Sequence, residues 1–167
     1  MIANPSSRRL HELDDLFADH VEQLHPKLAE LIGCAPFTYP NKPRGLPSEV
    51  VYLFSNDSGP LYIGRSRKFS QRLGNHCRPS SQANQSSFAY KTACRAIRYA
   101  PDLYKKGQSW AASLDTVVGL RDAFDTAKRE MSAMEIRYVE ESDPVRQALL
   151  EIYCSVALKT QNSWKTS

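Results

Sequence analysis

The sequence predicts an α/β fold, with a small, mainly antiparallel three-stranded sheet flanked by helices and preceded by a helical N-terminal extension. Two short runs rich in β-branched and aromatic residues lie on either side of a turn sequence within residues 50–65, which predicts a hairpin. A third run, at 134–141, alternates between two sets of side chains and suits a strand with one half-buried face. Stretches with apolar residues at three- and four-residue steps surround these runs and predict the helices.

The N-terminal region is predicted to be helical. Residues 6–33 carry apolar side chains at helical spacing, and Pro26 should break this stretch into two helices or kink it. Four prolines and a glycine within residues 34–48 predict an extended linker. We therefore divide the chain into a helical N-terminal extension with its proline-rich linker, at 1–45, and a second unit at 46–167.

The second unit has a predicted order of elements. The sequence Asn56-Asp57-Ser58-Gly59 is typical of a hairpin turn and separates strands predicted at about 50–55 and 60–65. Residues 79–87 read as a polar loop, and helices are predicted at 67–77, 87–99 and 114–131. Residues 79–132 therefore form a helical insertion before the third strand. The last helix is expected to begin with Ser142 or Asp143 as its cap and Pro144 in its first turn.

Composition limits the class of protein. The 167 residues fit one domain with a modest core, and no stretch is as long and apolar as a membrane span. We expect a cytoplasmic protein that has no membrane partner. The four cysteines form no CxxC pair, which favours reduced thiols over the alternative of a zinc site around His76 and Cys77.

Positive charge is concentrated in one part of the chain. Residues 58–101 contain eight basic residues and no Asp or Glu. The rest of the chain contains the other 14 of the 22 basic residues and all 18 acidic residues, so it is net acidic. A basic block of this kind suits a phosphate-rich partner, and a solvated basic surface is the alternative. The eight residues are Arg65, Arg67, Lys68, Arg72, Arg78, Lys91, Arg95 and Arg98.

The predicted hairpin carries two tyrosine motifs. Val50-Val51-Tyr52 and Tyr62-Ile63-Gly64 place their tyrosines ten positions apart, and Arg72 follows Tyr62 by another ten. In this order and spacing the block resembles the GIY-YIG nuclease family, in which Ile63 and Gly64 belong to the structural motif and Arg72 corresponds to the catalytic arginine. Val50 stands where the family's first motif has a glycine, a position that varies within the family.

The resemblance extends to three further residues and covers about residues 46–164. His76 lies one helical turn after Arg72, at a position that some members use. The family places its acid, a glutamate, on a late helix, and Glu151 matches it. Asn162 matches the asparagine that commonly closes the domain.

The resemblance also implies roles. Tyr62 would be the general base, Tyr52 would bond the attacking water or the phosphate, and Arg72 would contact the scissile phosphate. His76 is a second base, a phosphate contact or a packing residue. Hydrolysis of a phosphodiester is helped by a divalent cation on a hard oxygen ligand, and Glu151 is the only acid between residues 144 and 167. We expect Glu151 to hold one Mg²⁺ or Mn²⁺ in each active site.

These observations predict a metal-dependent endonuclease that cleaves nucleic acid, with DNA favoured over RNA, as a monomer or a homodimer. The basic residues outside the catalytic set would grip the backbone of the nucleic acid, together with Asn162. Two alternatives stay open at this point. One is a binding module of the same fold without catalysis, and the other is an interaction protein that acts through the N-terminal helices.

The charge distribution makes a first prediction. If the basic block neutralises roughly four to six phosphates of duplex DNA, the logarithm of affinity should fall with the logarithm of salt concentration with a slope of about −4 to −5. Replacement of Arg65 or Lys68 by alanine should make that slope shallower by about one. Fluorescence anisotropy over a salt series measures it, and an affinity that does not depend on salt would contradict the prediction.

Overall fold

The structure is a computed structural model that describes residues 15–101 and 109–160. Residues 15–22 are helical. The elements that follow are α1 (Leu24–Gly33), a short 3₁₀ turn (Tyr39–Asn41), β1 (Val50–Asn56), β2 (Gly59–Ser66), α2 (Phe69–Cys77), α3 (Ser87–Ala96), α4 (Trp110–Thr116), α5 (Leu120–Ala133), β3 (Glu135–Glu140) and α6 (Pro144–Ala157).

The three strands form one sheet in the order β2-β1-β3, and both pairs are antiparallel. The predicted hairpin closes where Asn56 pairs with Gly59, whose φ of 106° is a backbone conformation that favours glycine. The Ser58 amide donates to the Asn56 side chain at 2.9 Å and tightens the turn. The sheet and its flanking helices confirm the predicted fold class.

The central strand β1 is buried on both faces, which explains why its sequence is a continuous apolar run. Tyr52 and Phe54 face a core formed with α2, α3 and α5. Val51 and Leu53 face a second core, in which α1 and α6 cover the other side of the sheet. The catalytic candidates on β1 and β2 are therefore held in a sheet that is packed from both sides.

The N-terminal helical stretch breaks as predicted, although the break lies at Gln23. Pro26 falls in the first turn of α1, where a missing backbone N–H removes no helical hydrogen bond. Leu28 and Leu31 pack α1 onto the sheet. The part of the prediction that covers residues 6–14 lies outside the described residues, and the division of the chain at residue 45 stays a prediction.

The proline-rich linker follows the open edge of β3. Phe37 and Ile136 exchange two backbone hydrogen bonds, of 3.1 and 2.8 Å, and the 3₁₀ turn comes directly after them. The extended conformation that the prolines predict therefore covers part of an edge strand, which would otherwise present unpaired amides.

The helical insertion differs from the prediction in two places. The single helix predicted at 114–131 is wrong, because the chain forms α4 and α5 with a break before Gly119, whose φ is 78°. The helix predicted at 87–99 ends at Ala96, and Arg98 adopts a left-handed φ of 55°. Ala96, at the last position of that helix, is exposed.

The last helix begins as predicted. Asp143 caps α6 by accepting from the amides of Val145 and Arg146, and Pro144 occupies the first turn. One turn before Glu151, the buried Gln147 amide lies within hydrogen-bond distance of the carbonyls of Val50 at 3.3 Å, Ser66 at 3.1 Å and Glu141 at 3.2 Å. This side chain fixes α6 to β1 and β2. Among the described residues, none of the helices is both long and apolar enough to cross a membrane.

Gly64 provides a stability test, because it pairs with Tyr52 across β1 and β2. A Cβ at Gly64 would lie 2.5 Å from the Tyr52 hydroxyl oxygen, in a core where that ring cannot move aside. Gly64→Ala should therefore lower the free energy of unfolding by about 1–3 kcal/mol. Gly33→Ala is the control, since a Cβ there meets open space and alanine favours the helix. Equal denaturation midpoints for the two variants would contradict the prediction.

Candidate active site

Tyr52 lies at the centre of the site. Its side chain is completely buried, its hydroxyl accepts from Arg72 Nε at 3.2 Å, and the same oxygen lies 2.9 Å from His76 Nε2. The tautomer of the His76 ring decides whether the phenol or the ring nitrogen donates in this second contact. Burial raises the pKa of Tyr52 well above its ordinary value, so the phenol is protonated at neutral pH.

His76 is a buried, neutral side chain. Burial, followed by the positive charges of Arg72 and Lys128, holds the pKa of its ring well below the usual range. Its Nδ1 lies 3.5 Å from Ser86 Oγ, and its ring meets the ring of Tyr62 edge-on at 5.7 Å. Of the roles predicted for His76, this setting favours a packing residue that orients the Tyr52 hydroxyl.

Arg72 projects from α2, as expected for a residue ten positions after Tyr62. Its guanidinium donates through Nε to Tyr52 and through Nη1 to the Gln85 carbonyl at 3.1 Å. The first acceptor belongs to the sheet and the second to the loop after α2. The guanidinium is therefore held in a fixed orientation by two different elements, which is what a planar group needs to meet a phosphate with two donors.

Tyr62 is the more accessible of the two motif tyrosines. It is half-buried, its ring stacks on Phe88 with centroids 4.5 Å apart, and its side chain interacts with that of Tyr52. Phe88 belongs to the insertion helix α3 and fixes the ring without using its hydroxyl. Tyr62 therefore combines a defined position with partial access to solvent.

Glu151 comes to the site from α6. Its Oε2 accepts from Arg65 Nε at 3.0 Å, and its side chain is only 15% exposed, whereas that of Arg65 is 44% exposed. Burial raises the pKa of Glu151, while the charges of Arg65 and Arg72 oppose that shift. The influence of Arg72 shows that the late-helix carboxylate lies within electrostatic range of the arginine on α2.

The remaining basic candidates lie on α3 or in the segments that directly follow β2, α2 and α3. Lys91 and Arg95 are neighbours on α3. Burial lowers the pKa of Lys91, and the positive charge of Arg95 lowers it further. Arg78 Nε donates weakly to the Gly74 carbonyl at 3.4 Å. Asn162 lies outside the described residues. The exposed members of the set are Arg65, Arg67, Lys68, Arg78, Arg95 and Arg98.

The two other motif residues have structural positions. Ile63 is buried in the core beneath α6, and Gly64 makes room for the Tyr52 ring. Their alternation follows from the two-residue period of a strand, which turns Tyr62 towards the site and Ile63 away from it.

In the part of the chain that the structure describes, no three His, Cys, Asp or Glu residues are grouped so that they could hold a metal ion together. Cys77 is buried, and burial raises the pKa of its thiol to about 12. The half-buried carboxylate of Glu151 is a hard oxygen donor that suits Mg²⁺ or Mn²⁺, ions that keep several of their waters.

Four residues at or near the site were not anticipated. Gln85 and Ser86 lie in a loop that reads only as polar, and no sequence pattern distinguishes them from their neighbours. Gln147 and Lys128 do carry a signal, since each is a polar residue on the inward face of an amphipathic helix. Lys128 follows Phe124 by four positions in the apolar stripe of α5, and both Gln147 and Lys128 are buried.

Comparison with known families gives one match. Residues 48–106, which are 59 of the 167, match the family model of the GIY-YIG catalytic domain. The match identifies a domain of nuclease type and includes Tyr52, Tyr62, Arg72 and His76. This part of the chain is similar to the catalytic domain of GIY-YIG nucleases. Searches of curated proteins and of solved structures gave no significant match.

Proposed function

We propose that the protein is a divalent-metal-dependent endonuclease that hydrolyses phosphodiester bonds in nucleic acid, with DNA as the favoured substrate. The observation that carries the proposal is the grouping of Arg72 with Tyr52 and Tyr62, together with Glu151, a carboxylate from a helix outside the matched residues. Burial raises the pKa of Glu151, and the charge of Arg72 is among those that oppose that shift. A basic surface and a single carboxylate at its centre suit a phosphate-rich substrate and one cation.

The two tyrosines have different roles in this proposal. Tyr52 is buried, protonated and engaged by Arg72 and His76, so it is poorly placed to remove a proton from water. Tyr62 is half-buried and its ring is fixed by Phe88. This contrast supports Tyr62 as the general base and makes Tyr52 a positioning residue that directs the guanidinium of Arg72.

Arg72 binds the phosphoryl oxygens at which charge develops. A guanidinium offers two parallel donors to a phosphate, and a donor oriented in advance does not need to reorganise during the reaction. Arg67 and Lys68 are exposed and directly follow β2, so they can hold phosphates on either side of the scissile one.

Glu151 is the residue that would hold the cation. A bound divalent ion would supply stabilisation of charge on the phosphoryl oxygens and would make a water molecule more acidic. In the free protein the Glu151 carboxylate accepts a hydrogen bond from Arg65, whose side chain is 44% exposed. Arg65 therefore balances the negative charge of Glu151 in the absence of a cation, and it can turn to a substrate phosphate when a cation takes over that task.

The test of this function is cleavage of a panel of duplex DNA, single-stranded DNA and RNA with Mg²⁺, with Mn²⁺ and with EDTA. We expect cleavage that needs a divalent cation, with duplex or single-stranded DNA among the substrates. Binding without cleavage would support the non-catalytic module instead. A protein that neither binds nor cleaves would support an interaction role for the N-terminal helices.

Glu151→Gln should abolish cleavage and preserve binding, because it removes the charge of the cation ligand and changes the shape of the side chain very little. Binding of Mn²⁺, measured by calorimetry with and without nucleic acid, should be lost as well. The exposed acid Glu30, which pairs with Lys27 on α1, gives the control variant Glu30→Gln. Cleavage by Glu151→Gln at the parent rate would contradict the proposal.

The same variant should show no loss of stability at neutral pH. Because the folded-state pKa of Glu151 is raised, the folded protein favours the protonated carboxyl, and the cost of ionisation appears as pH rises above the ordinary carboxyl range. Glutamine avoids that cost but loses the bond from Arg65. We therefore expect the melting temperature of Glu151→Gln to match or exceed that of the parent at pH 7, and this advantage to shrink as pH falls towards 4.

Tyr62→Phe should lower the single-turnover rate by roughly 10²–10⁴-fold, the usual contribution of a positioned general base. The phenyl ring keeps the stack on Phe88, so folding and binding should be unchanged. Tyr153→Phe is the control, since it removes a hydroxyl that bonds His25 on the opposite face of the sheet. A near-normal rate for Tyr62→Phe would reduce Tyr62 to a packing residue.

A further inference from the structure

Lys128 is a buried cation that the proposed reaction does not use. It belongs to the inward face of α5 and is only 1% exposed. Its ammonium nitrogen lies 3.3 Å from the Asn75 carbonyl, 3.4 Å from the Ser81 carbonyl and 5.6 Å from the centre of the Phe124 ring. Burial of a charge is costly unless hydrogen bonds compensate it, so these contacts call for an explanation.

The first contact joins the insertion to the end of the catalytic helix. Asn75 lies in the last turn of α2, where backbone carbonyls lack partners within the helix and carry partial negative charge. A lysine ammonium is a favourable partner there. Lys128 thereby holds the carboxyl end of the helix that carries Arg72 and His76.

The second contact joins α5 to the loop at residues 78–86. Ser81 Oγ lies 2.5 Å from the Asn75 carbonyl oxygen and 2.9 Å from that of Arg78, so Ser81 is bound to the same helix end through its own hydroxyl. Further along, the Gln82 amide donates to the Gln85 side chain at 3.0 Å, and the Gln85 amide donates to the Gln82 carbonyl at 3.0 Å. The loop is therefore a compact unit fixed at Ser81.

The far end of this loop reaches the candidate active site. The Gln85 carbonyl accepts from Arg72 Nη1 at 3.1 Å, and Ser86 Oγ lies 3.5 Å from His76 Nδ1. Movement of the loop would change both the orientation of the Arg72 guanidinium and the hydrogen bonding of His76, which in turn contacts the Tyr52 hydroxyl. One buried ammonium is thus connected to three catalytic candidates through a series of polar contacts of 2.9–3.5 Å.

Packing alone does not account for this lysine. A methionine or leucine could fill a buried position on α5 without the cost of removing an ammonium from water, and apolar replacements of buried ions are often neutral or stabilising. The directional bonds to two carbonyls on different elements are what the ammonium adds.

We propose that Lys128 is a positioning residue that fixes the loop at 78–86 against the end of α2, and through that loop sets the Arg72 guanidinium and the His76 ring. The effect on cleavage rests on the function proposed above. The helical insertion therefore supports the candidate active site through the contacts of Lys128 with the end of α2 and with the loop. It also carries basic residues at the surface.

The experiment compares Lys128→Met with Arg129→Met, which removes an adjacent, exposed cation from the same helix. Amide hydrogen exchange of residues 82–86 and the ¹⁵N signals of the His76 ring are recorded at one neutral pH, together with single-turnover cleavage. In Lys128→Met we expect exchange about tenfold faster or more, consistent with the loss of hydrogen bonds from a charged donor. We also expect a changed His76 signal, a rate lower by roughly 10–100-fold and unchanged binding of nucleic acid.

Ser81→Ala gives a second, milder test of how the loop is fixed to the end of α2, because it removes the hydroxyl bonds to the Asn75 and Arg78 carbonyls and keeps the carbonyl that Lys128 contacts. It also guards against a folding defect in Lys128→Met. It should reproduce the faster exchange and the slower cleavage to a smaller extent. Arg129→Met should leave exchange, the His76 signal and the rate as in the parent.

Several results would overturn the proposal. Unchanged exchange and an unchanged His76 signal in both Lys128→Met and Ser81→Ala would show that the loop does not depend on these contacts. Faster exchange with a normal rate would separate the loop from catalysis. Weaker binding with a normal rate would make Lys128 a contact of the nucleic acid. If the parent cleaves no substrate, the proposed function fails, and the exchange and ¹⁵N measurements still decide whether Lys128 positions Arg72 and His76.

Discussion

The buried hydroxyl of Tyr52 is the constraint on which the rest of the site depends. A phenol in a closed core must satisfy its hydrogen-bonding capacity, and here Arg72 donates to it and the His76 ring is a second hydrogen-bond partner. Both partners come from α2, so the hydroxyl fixes that helix to β1. The absence of a side chain at Gly64 gives the ring its space, and a stack on Phe69, with centroids 5.4 Å apart, holds its other side. Sheet, helix and site are therefore joined at one oxygen atom.

The electrostatic arrangement follows from how the sequence separates its charges. Residues 58–101, which include β2, α2 and α3, contain no acid, so the negative charge of the centre has to come from elsewhere in the chain. Glu151 supplies it from α6, and Gln147 holds that helix to the strands one turn earlier. A lone carboxylate among arginines is balanced in the free protein by Arg65. A polyanionic substrate could pair with the arginines while a cation pairs with the carboxylate, so the two together would keep the charges of the site balanced.

Much of the architecture could be predicted because local rules decide it. Residues that are neighbours in the sequence determine the hairpin spacing, the apolar runs and the start of α6 at Asp143-Pro144. The break before Gly119 was missed because the apolar stripe continues across it, and only backbone conformation reveals the turn. The convergence of Tyr52, Tyr62, Arg72 and His76 follows from strand and helix periodicity. The contacts of Arg65 with Glu151 and of Lys128 with Asn75 and Ser81 join residues that are distant in sequence, and no periodic pattern encodes them. The roles of these residues in catalysis stay predictions.

The late position of Glu151 in the chain has a consequence for biosynthesis. Synthesis proceeds from the N-terminus, so the hairpin, α2 and the insertion emerge before α6, and Glu151 follows Tyr52 by 99 positions. Contacts between such distant segments form late in folding, because a long loop must close first. A nascent chain therefore exposes a basic, phosphate-attracting surface before it has its carboxylate. Under the proposed mechanism, such an intermediate holds nucleic acid but cannot cut it, and hydrolysis begins only when α6 has docked.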